Sequence, residues 1–281
     1  MAISSQQPIK YLGKESGVAK KHAITIPASV PNSLASFFIE LAGIFQFTTR
    51  FFKEVFFPPY ELGEVISQFY KIGYKSFPLV GITGFIMGLV LTLQSRPTLL
   101  EFGAESWLPA MVSVSIVREI GPIITALICA GKVGSSIGAE LGSMKVTEQI
   151  DAMEVSGTNP FKYVVVTRVL ATTLMLPILV IWADAISLYG SYVGVNINGD
   201  VSFYLFYTQA FDKVSFSDII PSISKSFFFG FAIGIIGAYK GYNSSNGTEG
   251  VGRAANSAVV TASLLIFIID MIAVQISSLF M

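Results

Sequence analysis

The chain has 281 residues, of which 52 % are hydrophobic and only 13 % charged, and its formal net charge is zero. Ordinary soluble domains carry about 25 % charged residues, so this composition excludes a solvated globular surface and places several segments in lipid. Zero net charge gives no footing for a nucleic-acid partner, and the single cysteine, Cys129, excludes an intrachain disulfide.

The first 31 residues are polar, with Lys10, Lys14, Lys20 and Lys21. No apolar core follows them directly, so 1–31 reads as a flexible cytoplasmic tail, not a cleaved signal peptide. Residues 32–60 read as an interfacial helix. They are apolar and aromatic but carry Glu40, Arg50, Lys53 and Glu54, which suits a helix lying in the membrane surface. A sixth span over 34–57, its charges snorkelling to the interface, is the alternative. Pro58 and Pro59 close this helix. The stretch from Glu61 to Ser76 is amphipathic, carries Lys71 and Lys75, and leads into the first span.

A membrane-spanning helix needs about 20 mostly apolar residues. Five stretches qualify, at about 77–95, 108–141, 163–195, 223–239 and 258–281. The expected fold is an all-α integral membrane protein, with residues 61–281 forming one bundle. Lys and Arg gather in the N-terminal region, in the loop between spans two and three (Lys145, Lys162, Arg168) and in the loop between spans four and five (Lys240, Arg253). By the positive-inside rule these regions face the cytoplasm.

The second span carries most of the functional signal. Arg118 and Glu119 lie in an apolar context, where a charge costs at least about 2.5–3.5 kcal/mol. They read either as the lining of a substrate cavity or as structural ion pairs to other helices. Gly121 and Pro122 follow, and a kink or break is expected there. Gly134, Gly138 and Gly142, four apart, form a small-residue face suited to intrachain packing or to a dimer contact. Thr147 to Val155 then reads as a short cytoplasmic helix, with Thr147 able to cap it, Glu148, Asp151 and Glu154 on an acidic face, and Ile150 and Met153 on an apolar one. Gly157, Asn159 and Pro160 end it. Such a helix suits docking by a cytoplasmic partner, and equally an ordinary solvated loop. In the fifth span Asp270 has no charged neighbour in sequence and needs a partner from another helix, with Lys225 and Arg118 as candidates.

REIGP at 118–122, AGKVGSSIGAELGSM at 130–144 and TEQIDAMEVSGTNP at 147–160 together resemble the signature of the MlaE family of ABC transporter permeases. The resemblance extends over roughly 34–281, and the order of interfacial helix, five spans and intervening cytoplasmic helix matches as well. It implies a homodimer in the inner membrane of a Gram-negative bacterium. It implies a cytoplasmic ABC ATPase docked on the helix between spans two and three, here Thr147, Glu148, Gln149, Asp151, Met153 and Glu154. It further implies a periplasmic MCE-domain protein, and leaves room for a STAS-domain subunit. The cargo would be phospholipid moved between inner and outer membranes, maintaining outer-membrane asymmetry. Residues of the lipid pocket carry over to Arg118, Glu119, Lys225 and Asp270, with Phe102 in the loop that would roof it.

No phosphate-binding loop of the GxxxxGK[ST] type occurs, so ATP and Mg are expected on a separate ATPase chain, with no cofactor held here. The sole histidine, His22, lies in the polar tail, and no catalytic triad or metal cluster can be assembled. The competing reading is an ion-coupled secondary carrier using Asp270, Asp184 and Glu119 as proton or cation sites. A membrane scaffold without transport is a third. Secondary carriers often contain internal repeats, and none is visible.

Overall fold

In lipid every backbone N–H and C=O must be satisfied within the segment, which leaves the helix as the form an apolar stretch of this length adopts. The computed structural model describes residues 32–281 apart from 59, 198, 200, 246 and 281. The N-terminal tail expected at 1–31, with His22, lies outside the described residues. The chain divides into two units, Met1–Leu41 and Ala42–Met281. The described part of the first is the beginning of the helix Asn32–Val55. All packing below concerns the second.

The described residues are helical, without a strand. Five helical runs are long and apolar enough to cross a membrane: Leu62–Glu101, Glu105–Val146, Phe161–Asn196, Phe216–Tyr242 and Thr248–Leu279. The helix Asn32–Val55 is not among them, in keeping with its interrupting charges. The amphipathic helix Leu62–Ile72 joins the first span through a single turn at Tyr74–Ser76. Helix limits exceed the expected spans where polar residues extend them. Glu249 and Arg253 bond each other at 2.6 Å across one turn of the fifth helix, so its start at Thr248 lies outside the apolar window that hydropathy detects. Asp218 Oδ2 likewise accepts from the Ser215 backbone N–H at 3.0 Å and hydroxyl at 3.1 Å. This holds the start of the fourth helix at Phe216 rather than 223.

The third span lies against the first and the fourth, and the fourth also against the second and fifth. Close approach rests on small residues, as expected where lipid removes the hydrophobic drive between helices. Ser191 Oγ donates to the Gly88 carbonyl across the first and third spans at 3.2 Å. The glycine face of the second span is used within the chain. A Cβ on Gly138 would lie 3.2 Å from the Ala254 carbonyl of the fifth span. One on Gly241 of the fourth would lie 2.8 Å from the Gly138 carbonyl. These contacts assign Gly138 to intrachain packing.

The break expected at Gly121 and Pro122 is absorbed instead. The second span runs on through two π-helical turns, Ile116–Ile120 and Ala130–Gly134. A wider turn just before Pro122 accommodates the ring and the missing donor without interrupting the helix. At the end of the bundle away from the helix Gln149–Val155, a second helix, Phe203–Lys213, packs Phe206 and Ala210 onto Leu108, Val112 and Ile116. Sequence hydropathy did not reveal it because it is too short to span.

Candidate functional site

The π-helical turn Ile116–Ile120 sets the directions of the two charges it carries. Such turns occur frequently at functional sites because the extra residue re-aims the side chains that follow. Glu119 faces the fourth and fifth spans, where its Oε2 receives the Lys225 ammonium at 2.6 Å. Lys225 also donates to Asp270 Oδ1 of the fifth span at 2.9 Å. One cation thus ties three helices together. Its side chain is 4 % exposed, that of Asp270 15 % and that of Glu119 36 %. The partner that Asp270 required is therefore Lys225.

Arg118 goes elsewhere. Its Nη1 lies 3.8 Å from Asp218 Oδ1, the carboxylate that also caps the fourth helix. Asp218 was not among the residues singled out from the sequence. Its position three residues after Ser215 was the available signal. Phe102 ends the first helix and is 78 % exposed, followed by Gly103 at φ +65°. It does not line the cavity next to Lys225.

That cavity, about 530 Å³, opens between the fourth and fifth spans against Ile220, Pro221, Ser224, Phe228 and Ile276, with Lys225 as its charged group. Apolar walls around one buried cation suit an amphiphile with an anionic head. Two carboxylates already neutralise the lysine, so the clamp carries a net charge of −1 when all three are ionised. An incoming anion must therefore displace a carboxylate or engage a proton-bearing one. Asp184 of the third span is a further polar group in the bundle. Its Oδ1 is buried without a hydrogen-bond partner, and it lies so close to Gly121 that a Cβ there would collide with it.

At the opposite end, the helix after the second span runs Gln149–Val155. Thr147 does not cap it. The Thr147 hydroxyl donates back to the Ser143 carbonyl at 2.9 Å, completing the preceding helix. Glu148 then turns the chain in the left-handed region at φ 58°, a position that costs a non-glycine residue of order 1 kcal/mol. Ile150 is buried beneath this helix at 2 % exposed, and Met153 packs against the main core of the bundle. Glu148, Gln149 and Glu154 face outward, and Asp151 bonds Lys145 Nζ at 2.9 Å. Val155 is 91 % exposed. The result is a short helix anchored on one side and free on the other.

Two sets of contacts near this end, one an ion pair and one a lysine bonded to backbone carbonyls, escaped the sequence reading. Arg168, 3 % exposed, pairs with Glu140 at 3.0 Å, joining the second and third spans. Lys162 donates to the carbonyls of Phe57 at 2.6 Å and Pro58 at 3.0 Å. Sequence counting used Arg168 and Lys162 only as orientation charges.

Five helices long and apolar enough to span, tied together by internal ion pairs, define a multi-pass membrane protein. The family model described as Permease MlaE matches residues 65–276. The chain belongs to this family, and it is a permease of an ABC transporter. Among relatives, a probable ABC transporter permease protein of Rickettsia typhi is 42 % identical over 234 residues, covering 82 % of this chain and 90 % of the relative. A probable ABC transporter permease protein of Synechocystis is 33 % identical over 237 residues, covering 84 % and 90 %. The intermembrane phospholipid transport system permease protein MlaE of Haemophilus influenzae is 36 % identical over 210 residues, covering 74 % and 80 %. Membership of an ABC permease family argues against the ion-coupled carrier, and two of the carboxylates that reading needed are engaged by Lys225.

Proposed function

We propose that this permease moves phospholipid between the inner and outer membranes of a Gram-negative cell and maintains outer-membrane lipid asymmetry. The observation that carries the reading is the buried Lys225 at the edge of an apolar cavity. The phospholipid transport named for the Haemophilus influenzae relative supports it. In this reading Arg118, Glu119, Lys225 and Asp270 meet or gate the headgroup. The protein works as a homodimer in the inner membrane, with its N-terminus and the helix Gln149–Val155 on the cytoplasmic side, as the distribution of Lys and Arg supports.

ATP and Mg are bound by a cytoplasmic ABC ATPase that docks on Thr147, Glu148, Gln149, Asp151, Met153 and Glu154. A periplasmic MCE-domain protein continues the lipid path, and the assembly leaves room for a STAS-domain subunit. The exposed acidic face and the bare Val155 supply a docking surface, while Ile150 transmits its movement to the bundle.

The test is reconstitution of the complex in proteoliposomes with fluorescent phospholipid. Transfer requires ATP and falls at least tenfold in Lys225→Ala and Asp270→Asn. Unchanged transfer in both variants overturns the pocket role. Joint reversal of Glu148 and Asp151 to Lys releases the ATPase during purification, and a stable complex after both reversals overturns the docking assignment.

A further inference from the structure

A second cavity lies away from the Lys225 clamp. It measures about 600 Å³ and opens between the lead-in helix Leu62–Ile72, the second span and the start of the fifth. Lys132 follows Glu119 by 13 residues on the second span, which places the two about 20 Å apart along the helix. The cavity is therefore separate from the clamp.

Its charge is one-sided. Lys71, Lys75 and Lys132 line it, and Glu140 is its only carboxylate. Glu140 is already engaged by Arg168 at 3.0 Å, with Lys71 at 3.7 Å. With Glu140 and Arg168 offsetting each other, three ammonium groups remain. Lys132 Nζ donates to the Lys75 backbone carbonyl, which fixes one of them at the wall. Below the lysines the floor is apolar, formed by Ile72, Val133 and Ile137, all at most 6 % exposed.

Its depth is marked by aromatic residues. Tyr70 and Tyr74 stack at 5.1 Å and are 55 % and 64 % exposed. Lys75 stands two residues before the first span begins at Phe77. Exposed tyrosines and lysines at a span's end mark the headgroup level of a bilayer. A basic cleft with an apolar floor at that level matches an anionic headgroup attached to acyl chains better than it matches a free anion, which has no use for the floor.

We propose that this cleft binds an anionic phospholipid of the cytoplasmic leaflet, its phosphate held by Lys71, Lys75 and Lys132. The proposal rests on the lipid-permease reading and its orientation, but not on the Lys225 site.

The test uses the purified full chain in detergent, titrated with phosphatidylglycerol and followed by native mass spectrometry. Replacing Lys71, Lys75 and Lys132 together by Gln weakens one binding event by about fivefold per lysine, roughly a hundredfold in all. Lys213→Gln, at an exposed lysine outside the cleft, leaves that event unchanged. A photoreactive residue at Ser136, in an otherwise unaltered chain, cross-links to phosphatidylglycerol, and this readout decides if the triple variant does not fold. Wild-type affinity in the triple variant overturns the proposal. So does displacement of the lipid by millimolar inorganic phosphate, which would make this a free-anion site. So does a cross-link from position 136 to protein alone, which would make the cleft a subunit interface. Failure of ATP-driven lipid transfer with the cross-link intact would count against the transport reading and leave this site standing.

Discussion

Removing Lys225 leaves Glu119 and Asp270 facing each other across the space its ammonium filled. At 2.6 and 2.9 Å, each pair contributes about 6 kcal/mol of attraction at an effective dielectric of about 20, before desolvation is subtracted. Breaking a buried pair by deleting one partner costs about 3–5 kcal/mol net, because the remaining charge stays uncompensated. Asp270, at 15 % exposed, loses more than Glu119, at 36 %, which water can partly solvate. Lys225→Met should therefore destabilise the bundle by about 3–5 kcal/mol. Asp270→Asn should cost less, because Lys225 keeps Glu119. The combined Glu119→Gln, Lys225→Met, Asp270→Asn variant should recover part of the loss, since no charge is stranded. The assay is unfolding of the purified protein in detergent, read by helical circular dichroism and by Cys129 accessibility to a thiol reagent, as Cys129 is buried in the native bundle. If Lys225→Met matches the wild type within about 0.5 kcal/mol, or the combined variant is no more stable than Lys225→Met, the clamp does not hold the helices together and the reasoning fails.

Gly88→Ala should destabilise the protein by about 1–3 kcal/mol, because its Cβ would collide with the Ser187 carbonyl of the third span; Gly252→Ala, which meets nothing within 4 Å, should be neutral or gain about 0.4–1 kcal/mol in the same unfolding assay. Lys162→Ala removes the donor to the Phe57 and Pro58 carbonyls, so limited proteolysis should cut faster around residues 55–61 while bundle stability changes little. Ile150→Asp should detach the helix Gln149–Val155 from the core and halve or abolish ATPase retention without unfolding the spans, whereas Glu154→Gln on its exposed face should leave the fold untouched.

Hydropathy alone determined five spanning helices, because lipid imposes one local rule on every residue of a span: its backbone must be paired within the helix and its side chains must be mostly apolar. The interruption of 32–57 by Glu40, Arg50, Lys53 and Glu54 was equally legible. The motif from Arg118 to Pro160 was enough to identify the family. Sequence also flagged Glu119, Lys225 and Asp270 as misfits in an apolar setting, since the cost of a lone charge in lipid is a local quantity.

Which misfit bonds which was not local. Glu119 and Lys225 are 106 residues apart, and Lys225 and Asp270 45. Their meeting depends on the order in which the spans pack and on a π-helical turn that no periodicity announces. The same turn sends the adjacent Arg118 to Asp218, so four charges that looked like one set became two. Tertiary contact likewise assigned Gly138 to the chain's own fourth and fifth helices, where spacing alone left packing and dimerisation equally open. It also gathered Lys71, Lys75 and Lys132, from two separate segments, around one cleft. Sequence settles what each segment must avoid in a membrane. Only packing decides which partner relieves it.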